Sequence, residues 1–188
     1  MLKFYLDTNA LISLSGCSDK ELLKLSKHIE ANKIELFTSH VQIDEMDRRD
    51  ASIYEKYEHA LKKLKAFDVN ISLVETNQAV IGISRSDMCK IGSDEIGEID
   101  SALRREIELC MGSKSKGKIN LACDALIALS SLDHDYFITG DDCMFRSWNK
   151  IIEGNKQNRD KILKNYLIPK IIHRKKPKGV FQAIVNPL

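Results

Sequence analysis

Four short apolar runs, at 3–6, 34–37, 69–74 and 136–139, punctuate the first 140 residues, and stretches of helical spacing fill the chain between them. Runs this short, with so little polar alternation, are the pattern of strands covered on both faces. Strands separated by helices cannot pair through tight hairpins, so they come to lie parallel with the helices packed over the sheet. The predicted fold class is therefore α/β, a doubly wound and mainly parallel sheet flanked by helices. In such a sheet ligands bind beyond the carboxyl ends of the strands. The residues that follow each run are thus the ones to read for chemistry.

The helices are readable from their caps and stripes. Leu22, Leu23, Leu25 and Ile29 give a helical spacing to a helix predicted over 19–30, with Ser18 or Asp19 able to cap it. Ser39-His40-Val41-Gln42 has the spacing of a capping box, so a helix starts there and runs through Glu45 to about residue 49. Further helices are predicted at 53–67, 96–110 and 121–132, the last capped by Asn120. Residues 82–118 form a polar, glycine-punctuated insertion around the helix at 96–110. Toward the C-terminus a helix from about Ile162 to near Pro169 and a final strand over 180–185 are expected. One domain over 1–150 with a C-terminal extension, 151–188, is the predicted organisation.

Composition narrows the class. No apolar run approaches the roughly 20 residues needed to cross a bilayer, and the N-terminus lacks the features of a secretion signal. The five cysteines are scattered, without a Cys-x-x-Cys pair, which suits a reducing cytoplasm and argues against zinc. The net charge of +2 hides an asymmetry. After Asp160 the chain has seven Lys and Arg residues and no acid, leaving 22 bases against 27 acids before it. An acidic body with a basic strip suits a metal site beside a polyanion contact, although a solvated tail would look the same.

The acids collect where the fold predicts a site. Asp7 ends the first run, Asp141 and Asp142 follow the fourth, and Glu45 lies in the second turn of the helix after the second. Asp124 sits close to the apolar stripe of its helix. Carboxylates gathered in one place repel one another, and hard cations such as Mg²⁺ or Mn²⁺ relieve that repulsion. Asp7 is then a candidate metal ligand, with Asn9 helping to hold the site. Each acid also has a plainer role open to it: Asp7 as a cap on the following turn, Glu45 on a solvated helix face, Asp124 as an N-terminal helix charge, Asp141 and Asp142 as turn residues. His40 reads as a surface residue at a helix start, and Trp148 and Phe181 as packing residues.

The segments FYLDTNALI, TSHVQIDEM, LACDALIAL and YFITGDDCMF, in that order, resemble the four acidic motifs of PIN-domain ribonucleases, including the VapC-type toxins. The resemblance covers residues 1 to about 148. It implies a PIN-like nuclease domain and metal-dependent endoribonuclease activity. It assigns catalytic and metal-binding carboxylates to Asp7, Glu45, Asp124 and Asp141, with Asn9, Thr139 and Asp142 in support. It further implies Mg²⁺ or Mn²⁺ as cofactor, RNA as substrate, an antitoxin protein as a candidate partner, and a homodimer. Hydrolysis of this kind leaves 5′-phosphate and 3′-hydroxyl ends. Lys170, Arg174, Lys175, Lys176 and Lys178 are the candidate RNA-backbone contacts, with Arg85, Lys90, Arg104 and Arg105 as further contributors. The alternative reading is a non-catalytic PIN-fold module that binds RNA or protein. Phosphotransfer at an aspartate fits less well, because the paired acids come after the fourth strand and the first ends in Asp-Thr-Asn.

Overall fold

In the computed structural model, which describes residues 1–47, 51–77, 89, 93–112 and 118–187, the chain alternates strands and helices as its pattern implies. The first half runs β1 (Leu2–Leu6), α1 (Thr8–Ser15), α2 (Asp19–Glu30), β2 (Ile34–Ser39), α3 (His40–Asp47), α4 (Ala51–Ala66) and β3 (Ile71–Val74). The second runs α5 (Asp94–Met111), α6 (Lys118–Ser130), β4 (Tyr136–Thr139), α7 (Asp142–Trp148), a π-helical turn (Asn149–Glu153), α8 (Lys156–Leu163), β5 (Lys170–His173) and α9 (Pro177–Val185). The strands form one sheet in the order β3-β2-β1-β4-β5, and every pairing is parallel.

Two cores lie on opposite faces of this sheet, and the alternation of strand side chains feeds both. Phe4, Leu6 and Ile138 join α1, α2, α4 and α9 on one side. Tyr5 and Phe137 join α3, α5, α6, α7 and α8 on the other. This two-sided burial is why the runs at 3–6 and 136–139 lack polar alternation. Trp148 is fully buried in the second core, in T-shaped contact with Phe137. Among the described residues no helix is long and apolar enough to cross a membrane.

Local signals set several boundaries. Ser18 caps α2 in a reciprocal capping box with Glu21. Gln42 supplies one half of the box read at Ser39: its side-chain oxygen accepts from the Ser39 N–H at 2.9 Å and from the Thr38 hydroxyl. Its amide reaches across to the Leu6 carbonyl at 2.9 Å. One glutamine thus ties the start of α3 to the ends of both β1 and β2.

The structure departs from expectation in four places. α6 begins before Asn120, which is therefore inside the helix, and Asp124 lies in the second turn. His40 is fully buried, because α3 is packed between α4 and α6. No strand forms over 180–185; Val180, Ala183 and Ile184 are instead the buried face of α9, which starts with Pro177 in its first turn and packs on α1. The helix near 162 ends at Leu163, and the following segment supplies β5, an edge strand of the sheet. Residues 151–187 are thus not an appendage: they complete the sheet and contribute to both cores. The expected polar insertion falls partly on 82–88, 90–92 and 113–117, outside the described residues.

Candidate active site

The strand order reverses direction between β1 and β4, and at such a switch point the two flanking connections leave on opposite faces and open a crevice. Asp7 stands at the carboxyl end of β1, and the Thr139-Gly140-Asp141 turn stands at the end of β4. Asp7 is only 3% exposed. Its Oδ1 accepts from the Ala10 N–H at 2.6 Å, capping α1. Its Oδ2 accepts from the Thr139 hydroxyl and from the Gly140 N–H at 3.2 Å. Thr139 Oγ1 in turn accepts from the Asp141 N–H at 3.0 Å. One hydroxyl therefore links the first acid to the turn that carries the second.

Gly140 is required by this closeness. A Cβ there would stand 2.9 Å from Asn9 Cβ, nearer than side chains approach one another. Asn9, expected to support the site, therefore walls it sterically. Asp141 caps α7, its Oδ1 accepting from the N–H groups of Cys143 and Met144 at 2.7 and 2.9 Å. The plainer roles considered for Asp7 and Asp141 are thus realised, and the same bonds fix where their carboxylates point.

Burial pushes the Asp7 carboxyl up to about 6, even though the Thr139 hydroxyl and the Ala10 and Gly140 amides favour its ionised form; the nearby Asp141 raises it further. Among the described residues, the groups that act most on it include no cation. A buried carboxylate facing another acid is electrostatically short of positive charge, which a divalent cation supplies. Beside it, Thr8 Oγ1 is buried without a hydrogen-bond partner among the described residues.

Asp124 is buried, 7% exposed, in a helix whose residues from Leu121 to Ser130 are all buried. α6 packs against α3, the helix that carries Glu45, and against α7. The Glu45 side chain lies outside the described residues. Among the described residues, no group of three or more His, Cys, Asp or Glu side chains is placed to hold a metal ion. The carboxylate oxygens of Asp7 and Asp141 are the donor type that hard cations favour.

Asp142 is engaged elsewhere. Its carboxylate pairs with the Lys175 ammonium and, at 3.1 Å, with His173 Nε2; the Lys175 hydrogen bond holds it below the usual carboxylate range. Phe145 stacks on His173 with ring centroids 5.3 Å apart. This clamp fastens the end of β5 to the start of α7 and brings the basic segment to the same edge as Asp7. Lys170, Arg174, Lys175, Lys176 and Lys178 are all exposed. Arg104 is committed to Asp100 at 2.5 Å, whereas Arg105 is exposed; Arg85 and Lys90 lie outside the described residues. His173 and Gly140 escaped the sequence reading. Nothing marks a lone histidine in a four-residue strand, but a glycine between a strand and an acid pair does signal close backbone approach.

No protein-family model matches the chain, no curated protein matches it, and no solved structure matches it.

Proposed function

We propose that this chain is a divalent-cation-dependent endoribonuclease of the PIN type, hydrolysing RNA phosphodiesters at a site built from Asp7, Asp141, Asp124 and Glu45. The observation that supports it most is Asp7: a buried, hydrogen-bonded carboxylate at the sheet's switch point, beside a second acid and, among the described residues, with no cation among the groups that act most on it. A purely structural cap is more stable exposed or paired with a cation, so keeping this charge buried points to a bound positive ion.

In this reading Asp7 and Asp141 are oriented before any ligand arrives, Asp7 by three donors and Asp141 by two backbone amides. Preorganisation of this kind spares the reaction the cost of arranging charge at the moment of attack. Asp124 and Glu45 complete the oxygen set from the α6 and α3 side. Mg²⁺ or Mn²⁺, when bound, supplies the charge that activates water and offsets the phosphate's negative charge. Arg174, Lys176 and Lys178 hold the RNA backbone beside the acids, next to Lys175, which Asp142 engages.

Cleavage of a mixed single-stranded RNA pool tests the proposal, with Mn²⁺ or Mg²⁺ against EDTA, and with the Asp7→Asn, Asp124→Asn double variant after circular dichroism shows that it folds. Cleavage that requires both metal and acids and leaves 5′-phosphate ends is expected. Cyclic-phosphate products, or cleavage indifferent to EDTA, would overturn it. A non-catalytic RNA- or protein-binding module is the second reading, favoured by the capping roles of Asp7 and Asp141. It predicts binding without turnover under every divalent ion.

A further inference from the structure

A cavity of about 290 Å³ opens between β5 and α9, lined by Lys170, Ile172, Arg174, Gln182, Ala183 and Asn186. Its volume lies at the lower end of the range for small-molecule sites, enough for one small unit. Its walls are chemically sorted. Lys170 and Arg174 are four residues apart in an extended segment, so they share a face, roughly 13 Å apart along the chain. Gln182 lies in the last turn of α9, and Asn186 follows the helix, its N–H donating to the Gln182 carbonyl at 2.9 Å. Ile172 and Ala183, each 8% exposed, make an apolar floor.

We infer that this cavity is a nucleotide subsite, holding one base of a single-stranded RNA whose neighbouring phosphodiester reaches the acids at Asp7 and Asp141. The inference rests on the ribonuclease reading above and names where the substrate is held. Three observations carry it. The cations and amides lie on opposite walls, matching a nucleotide whose phosphate is anionic and whose base edge offers both donors and acceptors. Each side-chain amide also offers both. The floor, Ile172 and Ala183, is apolar, as a base face requires. The Arg174 end is joined to the acid site: its N–H donates to the Thr139 carbonyl at 2.9 Å, and its own carbonyl lies beside Gly140. Arg174 spends one guanidinium N–H on the His173 carbonyl at 2.7 Å, which aims the group while leaving four of its five donors for a ligand.

The test combines steady-state cleavage with anisotropy of a fluorescently labelled RNA hexamer bound to the full chain. Wild type is compared with Gln182→Ala, Asn186→Ala and with Arg174→Ala, folding being followed by thermal melts. The expected result for the double variant is a KM and hexamer Kd raised about tenfold, with kcat close to wild type and the Mn²⁺-induced rise in melting temperature retained. Arg174→Ala should weaken binding and flatten its salt dependence by about one ion. Cleavage with an unchanged KM in the double variant would overturn the subsite and leave the nuclease reading intact. Wild-type protein that never cleaves, yet binds the hexamer through Gln182 and Asn186, would support the subsite and sink the nuclease reading. Capture of an acidic peptide in place of RNA would overturn the inference as well.

Discussion

The charge buried at Asp7 should make the protein less stable as it ionises. Its ordinary pKa of 3.8 is pushed up to about 6 in the folded chain, chiefly by burial. A folded-state value above the unfolded one means the native state holds its proton more tightly. The contribution is therefore fully present below about pH 4 and is lost as pH rises through 6. At 1.36 kcal/mol per unit, the span amounts to ~3 kcal/mol. For a chain of this size that corresponds to a melting-temperature difference of roughly 6–12 °C. The measurement is a set of urea or thermal melts of wild type and Asp7→Asn from pH 4 to 8 in EDTA, read as the difference between the two. Asparagine keeps an acceptor for the Ala10 N–H but sets an NH₂ group against the Gly140 N–H. That loss is independent of pH and drops out of the slope. His134, whose pKa burial lowers, works in the opposite sense, since its protonation below its ordinary value of 6.5 opposes folding; both chains carry it, so it cancels too. Adding Mn²⁺ at pH 7 should restore stability to wild type alone, by about 2.7 kcal/mol at a hundred times its Kd. A flat difference profile would refute the buried-charge reasoning, and equal Mn²⁺ stabilisation of both chains would refute the assignment of the cation to Asp7.

Other consequences are testable with single changes. Thr139→Val removes the hydroxyl shared by Asp7 and the Asp141 N–H; it should cost about 1–3 kcal/mol in urea melts and move the Asp7 titration upward, with Thr139→Ser restoring both. Gly140→Ala places a methyl against Asn9 and should destabilise by about 1–3 kcal/mol while lowering cleavage, as urea melts and initial rates would show; wild-type values for both would disprove the steric reading. A chain ending at residue 163 lacks β5 and α9, leaving the apolar face of α1 and the edge of β4 uncovered. It should fail to give a cooperative melt, whereas a folded, cooperative truncation would show that the C-terminal segment is dispensable.

The runs at 3–6 and 136–139 were legible as strands because two-sided burial writes itself as an unbroken apolar run, and Asp7 and Asp141 were legible as edge acids because they follow directly. The cap at Ser18 and the half of the box at Ser39 that Gln42 supplies were legible for a local reason: their donors and acceptors are three residues apart. Asn120 misled because a good capping residue is also tolerated inside a helix when the preceding residues continue it. Asp142 looked like a fourth-strand acid, and only β5 arriving beside α7 supplied Lys175 and His173 to claim it. At the C-terminus, Val180–Val185 fits a strand by composition and a helix by spacing, and six residues are too few to decide. α1 decided, by offering a groove that a helical face fills. The sequence by itself determined the α/β class, the parallel strands and the placement of acids at their carboxyl ends, because periodicity and caps are local. The tertiary structure alone decided the strand order, the completion of the sheet by β5 and which acids meet which cations, because those depend on contacts between residues some thirty to more than a hundred positions apart.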